Sequence, residues 1–340
     1  MKTLVLKTNR KSFKRTIRIA ANLLSKGKIV AFPTETVYGL GVNAFDKKAI
    51  KKLFKVKKRP SDNPLIIHIS EKNQVLPLVK KISSKASKLM NCFWPGPLTL
   101  VFKSSGKIPK EASGGLETIA IRMPAHKVAL ALINACGFPL AAPSANLAGK
   151  PSATNAFHVL EDFDKKIDCI IDAGKTRIGI ESTVLDVSVK TPVLLRPGKI
   201  TKEEIQKIIG KIKVHGSVKK GKFVKKLMIK SPGMKYRHYA PDAKVIIIPF
   251  KFKGNELSKK ADEMAKGKTA LITLSTSKVD CKKCDVIKAR HGIVGLGKRL
   301  FAEFRRLDKK GYDTIIVHGV REKGFGSAIM NRLKKAARKK

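Results

Sequence analysis

Leu140-Ala141-Ala142-Pro143-Ser144-Ala145-Asn146 has the pattern of a short buried strand that ends at a polar loop. In α/β proteins, loops that leave the carboxyl ends of strands commonly hold ligands. The hydroxyl of Ser144 and the amide of Asn146 can bind phosphate or carboxylate oxygens without bringing like charge. A strand-terminating turn satisfied by its own side chains has the same composition. The segment therefore leaves a binding loop and a plain turn equally open.

Strand and helix patterns alternate on both sides of that segment, which predicts an α/β architecture. Asp46 is expected to cap a helix that carries Ile50, Leu53 and Phe54 on one side. Other strands are expected at Lys28–Phe32, Leu65–Ile69, Leu98–Phe102, Thr118–Ile121, Cys169–Ile171, Thr183–Val187 and Val193–Leu195, and other helices at Ser12–Lys26, Ser84–Cys92, Lys127–Cys136, Thr154–Leu160 and Lys202–Ile209.

The regular pattern is interrupted between about Gly210 and Asp242, where Lys, Gly, Ser and Pro dominate, as in an interdomain linker. A second α/β pattern follows and predicts a small layered sheet. We therefore expect a first domain at residues 1–210, a linker at 211–242 and a smaller domain at 243–340. The smaller domain is expected to have strands at Lys244–Ile248, Thr269–Leu274 and Thr314–His318 and helices near Glu256–Ala265, Leu296–Lys309 and Ser327–Ala337.

The chain has 340 residues and is 43% hydrophobic, which favours packed domains over disorder. Its formal net charge of +48 would attract any polyanion, so an RNA-binding or ribosome-associated module is the main alternative to an enzyme. The lysines, however, are spread over every predicted helix and loop without an aromatic-rich RNA-binding signature. A genome-wide lysine bias, or a saline or hot cytoplasm, would give the same composition.

Five cysteines, odd in number and thinly scattered, do not form a disulfide framework and fit a reducing cytoplasm. Cys281 and Cys284 have a spacing used in zinc and redox sites, but a structural zinc site needs about four ligands and no second pair accompanies them. We therefore expect ordinary thiols there and no metal site. No apolar run approaches the ~20 residues that cross a bilayer, and the apolar patch at Thr3–Leu6 is too short for a signal peptide. A cytoplasmic protein without a membrane partner is expected.

Lys57 and Arg59 lie two residues apart in a segment that Pro60 and Pro64 are expected to hold extended, so both side chains can project to one face. Two cations aimed together suit an anion. The neighbouring lysines make the whole region basic, and viewed alone this pair is more typical of a solvated surface.

The loop Phe32–Gly41 leaves another expected strand and combines hydroxyls, a carboxylate and glycines that allow close backbone approach. That combination suits a small zwitterion. A plain turn would use the glycines but has little reason to include two threonines and a glutamate.

Together these segments resemble the YrdC-domain family, and specifically its long members that make threonylcarbamoyl-AMP. Lys57-x-Arg59 and Ser144-x-Asn146 correspond to the paired motifs of that family. The resemblance implies a twisted mixed sheet with flanking helices, followed by a smaller Rossmann-like α/β domain. It covers nearly the whole chain, through Phe32–Gly41, Arg59–Leu65, Trp94–Thr99, Glu181–Val184, the linker signature Ser231–Pro241, Leu296–Leu307 and Gly324–Ala337.

The resemblance also implies roles for individual residues. The implied catalytic set is Lys57, Arg59, Ser144 and Asn146, the implied threonine site is Thr36, His68, Arg122, Ala142 and Ser182, and the implied ATP site is Arg59, Asn63, Thr118, Ser144, Ser152, Arg196 and His238. Without the family match, His68 would be interpreted as a satisfied, half-buried histidine in an apolar strand. Residues Tyr236–Tyr239 are unusually aromatic and basic for a tether, which predicts that Ser231–Pro241 is a lid over the cleft.

In the implied reaction, the amine of threonine takes up bicarbonate or CO2, and the resulting carbamate attacks the α-phosphorus of ATP and expels pyrophosphate. No protein nucleophile is needed, so catalysis is positioning and charge stabilisation. Mg²⁺ is expected on the nucleotide phosphates, because the sequence offers no acidic cluster with metal-ligand spacing. The product serves N6-threonylcarbamoyladenosine modification of tRNA, so the expected partner is a downstream tRNA threonylcarbamoyl transferase, and direct tRNA binding is not required.

Overall fold

The computed structural model describes residues 2–219 and 239–338, and the statements below concern that part of the chain. Its strands form one 11-stranded mixed sheet and one separate 4-stranded sheet in which all pairings are parallel. Helices alternate with the strands in both parts. The expected mixed α/β architecture, with a larger mixed sheet and a smaller parallel one, is confirmed.

The first part of the chain begins with an edge strand and continues to a short helix that ends at Lys219. Its strands are β1 (Leu4–Lys7), β2 (Val30–Phe32), β3 (Gly39–Asn43), β4 (Ile66–His68), β5 (Leu98–Lys103), β6 (Thr118–Arg122), β7 (Leu140–Ala142), β8 (Cys169–Asp172), β9 (Thr183–Asp186), β10 (Val193–Arg196) and β11 (Lys213–Val214). Its helices are α1 (Phe13–Ser25), α2 (Lys47–Lys57), α3 (Ser84–Phe93), α4 (Lys110–Ser113), α5 (Lys127–Cys136), α6 (Ala156–Phe163), α7 (Lys202–Ile209) and α8 (Gly216–Lys219), with a 3₁₀ helix at Lys72–Leu78.

The second part has strands in the order β12, β15, β13, β14. These are β12 (Lys244–Ile248), β13 (Thr269–Leu274), β14 (Asp285–Ala289) and β15 (Thr314–His318), and the helices are α9 (Gly254–Met264), α10 (Gly292–Lys309) and α11 (Phe325–Ala336). The sequence predicted no strand at β14. Of its five residues only Ala289 is buried, so the segment has neither an apolar run nor a clear alternation.

Local signals explain where α2 begins. The carboxylate of Asp46 accepts hydrogen bonds from the backbone N–H groups of Lys48 and Ala49, as predicted for a cap, at 2.8 and 3.0 Å. The predicted apolar side of the helix is buried. By contrast, Ser12 lies at the cap position of α1 but its side chain makes no capping hydrogen bond.

The interpretation of Lys57 and Arg59 as neighbours on extended backbone was wrong for Lys57, which is the last residue of α2. Lys58 ends the helix in the left-handed conformation, with φ of 51°, and the backbone N–H of Arg59 donates to the carbonyl of Phe54 at 3.0 Å. Both side chains are buried, with 2% and 8% of Lys57 and Arg59 exposed, so the pair is not a solvated surface. The helix end, rather than an extended segment, turns both cations inward.

The segment Phe32–Gly41 is not a single loop, because β3 begins within it at Gly39. β3 pairs antiparallel with β2, and Gly39 and Gly41 lie against the ring of Phe32. A Cβ added at Gly41 would lie 2.7 Å from that ring, so glycine lets the strand rest on it. The edge strand β1, parallel to β8, was also not predicted, since most of its residues are exposed.

The middle of the large sheet is formed by β7, β4 and β6, in the order β1, β8, β2, β3, β7, β4, β6, β5, β9, β10, β11. This register places His68 beside Arg122 on one side and Leu140 on the other, and Ile66 beside Ala142. Residues that are far apart in sequence are thereby brought to one place above the sheet.

The two sheets are joined by buried side chains. Val37 and Ile180, from loops of the first part, lie in the same apolar cluster as buried residues of α10 and α11. Arg305 of α10 forms an ion pair with Asp162 of α6 at 2.7 Å. The second part therefore packs directly against the loops above the large sheet.

The predicted domain limits remain predictions, although β11 extends the large sheet to Val214, past the expected boundary at residue 210. Across residues 2–219 and 239–338, no helix combines the length and apolar character that crossing a membrane requires.

Candidate active site

A cavity of about 550 Å³, including its open mouth, lies above the middle of the large sheet. Of the predicted site residues, Thr36, Arg59, His68, Arg122, Ala142, Ser144, Ser182 and Arg196 line it. The other lining residues are Thr34, Val37, Tyr38, Gly39, Ile66, Pro143, Glu181 and Tyr239.

Arg122, the last residue of β6, lines one end of the cavity. Its Nη1 donates to the hydroxyl of Thr36 at 2.9 Å, and its Nη2 lies 2.6 Å from a carboxylate oxygen of Glu35. The hydroxyls of Thr36 and Thr34 are 2.8 Å apart. A fixed guanidinium beside hydroxyl groups is suited to the carboxylate and hydroxyl of a small amino acid.

Arg196, at the end of β10, is fixed against Ser182. Its Nε donates to the backbone carbonyl of Ser182 at 2.9 Å and its Nη2 donates to the Ser182 hydroxyl at 3.1 Å. That hydroxyl also shares a hydrogen bond of 2.7 Å with Thr99. Burial lowers the pKa of Arg196, but a guanidinium stays charged in a protein. The cavity therefore contains a second oriented cation.

Lys57 lies behind the loop that follows β7. Its ammonium group donates to the backbone carbonyl of Ser144 at 2.6 Å and also to that of Asn146. The side-chain amide of Asn146 donates to the carbonyls of Leu147 and Lys150, at 2.8 and 2.9 Å, instead of entering the cavity. Ser144 therefore reaches the ligand space, while Lys57 and Asn146 shape the loop. Asn146 thus satisfies the turn with its own side chain, whereas a binding role for Ser144 remains a prediction.

The surroundings of Lys57 disfavour the charged form of its ammonium group. Burial, and then the neighbouring Arg59, hold the pKa of the Lys57 ammonium well below its ordinary value. An anionic ligand bound at Ser144 would raise the pKa of Lys57 again, because a nearby negative charge favours the ammonium form.

Arg59 reaches the cavity next to Ser144, and its guanidinium is oriented by the backbone. Its Nε donates to the carbonyl of Asn63 at 3.1 Å and its Nη2 to that of Pro64 at 2.9 Å. Asn63 is buried and contributes this carbonyl, but it does not line the cavity.

Thr118 does not line the cavity either. It begins β6, four residues and about 13 Å from Arg122 on the same face of the sheet. Ala120, the residue between them on that face, belongs to a buried apolar cluster with Ile66, Val101, Val184 and Leu195.

Ser152 is fully buried and donates its hydroxyl to Glu181 at 2.5 Å, so it acts on a lining residue and not on the cavity itself. His238 and residues 231–238 of the predicted lid lie outside the described residues.

His68 is buried, and its Nδ1 lies 3.1 Å from the carbonyl of Ile66. Its ring stands edge-on to Phe32, with centroids 6.0 Å apart. Burial, and then the charge of Arg122, lower the pKa of His68 to about 3. The imidazole is therefore neutral near pH 7, where it can donate or accept a hydrogen bond without adding charge.

The sequence did not single out Tyr38 or Glu181 as site residues, and it pointed to Tyr239 only as part of the predicted lid. The hydroxyl of Tyr38 donates to the carbonyl of Gly174 at 2.8 Å. Tyr239 stacks on Phe301 of α10 with ring centroids 5.2 Å apart. Tyr38 and Glu181 both lie inside segments that carried the family resemblance. That resemblance was the one sequence signal that could have identified them as site residues.

Positive charge dominates the described surroundings of the cavity. Three guanidinium groups line it, and Lys57 and Arg332 lie behind it, whereas Glu35 and Glu181 are both in ion pairs with arginines. Burial alone would raise the pKa of Glu181, but Arg332 and Arg196 outweigh burial and lower it. This arrangement can bind several anionic oxygens and stabilise charge that develops on them.

Comparison with known proteins gives matches along the whole length. The Sua5/YciO/YrdC family, described as "Telomere recombination", matches residues 22–198, and the family "Threonylcarbamoyl-AMP synthase, C-terminal domain" matches residues 200–338. The chain is 48% identical over 340 residues to the threonylcarbamoyl-AMP synthase of Pyrococcus abyssi, covering 98% of each chain. It is 46% identical over 324 residues to that of Bacillus subtilis, covering 94% of this chain and 92% of the relative.

A crystal structure with L-threonine, that of Sua5 from P. abyssi, resembles this chain with a TM-score of 0.90 and 47% identity, covering 99% of this chain and 98% of the other.

Proposed function

The chain belongs to the threonylcarbamoyl-AMP synthase family, and from that membership we propose that it joins L-threonine, bicarbonate or CO2, and ATP into threonylcarbamoyl-AMP and pyrophosphate. The observation that carries this proposal is the presence of two different sites in one cavity. Arg122 with Thr36 suits a small amino acid, and Arg59, Arg196 and Ser144 suit phosphate oxygens.

In this proposal, the guanidinium of Arg122 binds the carboxylate of threonine, and the neutral His68 and the backbone at Ala142 close the same end of the cavity. Ser182, whose hydroxyl accepts a hydrogen bond from Arg196, also belongs to this proposed threonine site. The hydrogen bonds already made by Thr36 and Glu35 orient Arg122 before threonine arrives, which lowers the entropic cost of binding.

ATP would lie with its phosphates between Arg59, Ser144 and Arg196. We place the adenine beside the apolar cluster that contains Ile66, Ala120 and Val184, of which Ile66 lines the cavity, with Thr118 beyond it. Lys57 supports the loop under Ser144, so its contribution is to position the phosphate contact.

The carbamate oxygen of the substrate attacks the α-phosphorus, the bond to the β-phosphate oxygen breaks, and pyrophosphate leaves. Arg59 and Arg196 stabilise the charge that spreads over the phosphoryl oxygens, and no protein nucleophile takes part. The enzyme is therefore a nucleotidyltransferase in which binding two substrates in line supplies most of the acceleration.

The residues present fit an Mg²⁺ ion that is held through the phosphates of ATP. Glu35 and Glu181 are already paired with arginines, so the described lining offers no uncommitted carboxylate cluster for a resident metal. Bound in this way, Mg²⁺ would neutralise phosphate charge.

The test is to incubate the purified protein with labelled ATP, threonine and bicarbonate and to measure pyrophosphate. Release should depend on threonine and bicarbonate and should proceed at full rate without tRNA. Threonine-independent release would contradict the proposal.

The +48 charge favours a second candidate, an RNA-binding module. If the charge is a compositional bias, RNA affinity should be weak and should fall steeply with salt. A salt-resistant, sequence-selective RNA complex, or a strict RNA requirement for pyrophosphate release, would support the second candidate.

The cellular setting is also part of the proposal. We place the enzyme in a reducing cytoplasm, supported by the free thiols of its five cysteines, and expect its labile product to pass to a tRNA threonylcarbamoyl transferase.

A further inference from the structure

Cys281 and Cys284 lie between β13 and β14 and face α9, where Asp262 belongs to the last turns of the helix. One ligand atom from each of these three residues lies within 4.8 Å of the other two. Among the residues that the structure describes, this is the one group of three or more histidine, cysteine or acidic side chains that meet in this way. The sequence showed only the cysteine pair, because Asp262 is in a different element.

Hydrogen bonds hold the three side chains in place. The backbone N–H groups of Lys282 and Lys283 donate to the two carboxylate oxygens of Asp262, at 3.1 and 2.8 Å. This ties the turn that carries both cysteines to α9. The thiols make weak contacts, of 3.8 and 3.6 Å, with backbone carbonyls of the helix, and they also contact each other. A metal ion could replace these weak contacts without disturbing the turn.

Two sulfur ligands and one carboxylate oxygen define the class of metal. Thiolates favour Zn²⁺ and other thiophilic ions over Mg²⁺ or Ca²⁺. In a tetrahedral zinc site with bonds of about 2.3 Å to sulfur and about 2.0 Å to oxygen, the ligand atoms are roughly 3.5 to 3.8 Å apart. The observed separations therefore require shifts of only about 1 Å.

The surroundings are also favourable to a cation. The open groove beside the cluster is lined by three carboxylates and three lysines, whereas the whole chain has 73 Lys and Arg against 25 Asp and Glu. This groove therefore lacks the excess of positive charge that the chain has as a whole. On the inner side, both cysteines pack against the apolar cluster under α9, which restricts water to one side of the site.

From these observations we propose that Cys281, Cys284 and Asp262 bind one Zn²⁺ ion, with water as the fourth ligand on the half-exposed side. Binding releases the two thiol protons to solvent and leaves both sulfurs as thiolates. The ion links the segment before β14 to α9 and so stabilises the second part of the chain. None of the three residues lines the cavity of the adenylate site, so the ion takes no part in that chemistry.

The experiment is a Co²⁺ titration of full-length protein purified with a reductant and a chelator. Co²⁺ bound to thiolate has a charge-transfer absorption that reports sulfur ligation. One equivalent should give this band, and one equivalent of Zn²⁺ should abolish it. Cys281→Ser and Cys284→Ser should each lose most of the band, and Asp262→Asn should bind Zn²⁺ at least tenfold more weakly.

Cys92→Ser is the matched control, because Cys92 is an exposed thiol in the first part of the chain. It should titrate like the unmodified protein. Zn²⁺ should raise the unfolding temperature of the unmodified protein and of Cys92→Ser but not that of the double variant Cys281→Ser, Cys284→Ser. All variants should make threonylcarbamoyl-AMP at the unmodified rate. Absence of the thiolate band, its persistence in the double variant, or oxidation of the pair to a disulfide without metal binding would overturn the proposal.

Discussion

Arg332 of α11 donates from Nε to a carboxylate oxygen of Glu181 at 3.0 Å, and this contact connects the small parallel sheet to the cavity above the large one. Arg332 is fully buried and also donates to the backbone carbonyls of Pro197 and Glu181. The other carboxylate oxygen of Glu181 accepts the hydroxyl of Ser152. Glu181 is therefore held from both sides, and the second part of the chain positions one wall of the site.

Replacing Arg332 with Met should destabilise the protein by about 3–5 kcal/mol, because Glu181 would stay buried without its cation. Threonine-dependent pyrophosphate release should fall at least tenfold. In the double variant Arg332→Met, Glu181→Gln, the uncompensated charge is gone, so stability should recover by about 1 kcal/mol or more relative to Arg332→Met. Thermal and denaturant unfolding measure both changes.

Lys334→Met is the control for this pair, because Lys334 lies on the same helix and makes an exposed ion pair with Glu322. Its stability should change by less than about 1 kcal/mol. Strictly additive effects of Arg332→Met and Glu181→Gln would show that the two side chains are not coupled.

Arg59→Ala should lower adenylate formation by on the order of a hundredfold or more, because one of the oriented cations of the cavity is lost. Lys55→Ala, at an exposed position of the preceding helix α2, should retain normal rates. Single-turnover pyrophosphate release from folded protein is the measurement. Near-normal, threonine-dependent release by Arg59→Ala would show that the site has been assigned wrongly.

Tyr239 has two contacts that substitution can separate. Tyr239→Phe keeps the stacking on Phe301 but loses the hydrogen bond between the hydroxyl and Arg196, so KM for ATP should rise by a few fold. Tyr239→Ala also loses the stacking and should destabilise the protein by about 3–5 kcal/mol. Tyr312→Phe, at a half-buried tyrosine whose hydroxyl donates to Asp285, should change neither quantity. Equal KM values for the Tyr239→Phe and unmodified proteins would contradict the proposed contact.

The neutral state of His68 predicts a specific acid sensitivity. Its pKa is lowered to about 3 in the folded protein, whereas the unfolded chain titrates near 6.5. Between these values the unfolded state binds a proton that the folded state does not, so stability falls as pH falls, by up to about 1.4 kcal/mol per pH unit. His68→Asn should therefore show a shallower loss of stability between pH 6.5 and about 4.

His158, whose pKa burial lowers to about 4, contributes a similar slope in every variant, so the comparison is between slopes. His291→Asn, at an exposed position, should keep the slope of the unmodified protein. Identical slopes for His68→Asn and the unmodified protein, measured by denaturant unfolding across this pH range, would be inconsistent with a neutral buried His68.

Most regular elements could be predicted from sequence because their signals are local. β7, α5, α7, β12, β13 and β15 have the expected limits, since each is a compact apolar or amphipathic run with clear ends. β1 and β14 were missed because they are largely exposed and owe their pairing to a neighbouring strand. β3 was interpreted as a loop because its glycines are also typical of turns.

Local patterns were sufficient for the α/β class and two α/β parts, and the motifs together were sufficient for the family. The family resemblance, in turn, implied eight of the residues that line the cavity. Packing alone established that Lys57 and Asn146 support the loop, that Arg332 holds Glu181 across 151 positions, and that Asp262 meets the cysteine pair. Side chains far apart in sequence meet only where strand order and sheet packing bring them together. The charge state of His68 follows in the same way, because burial and the proximity of Arg122 exist only in the folded chain.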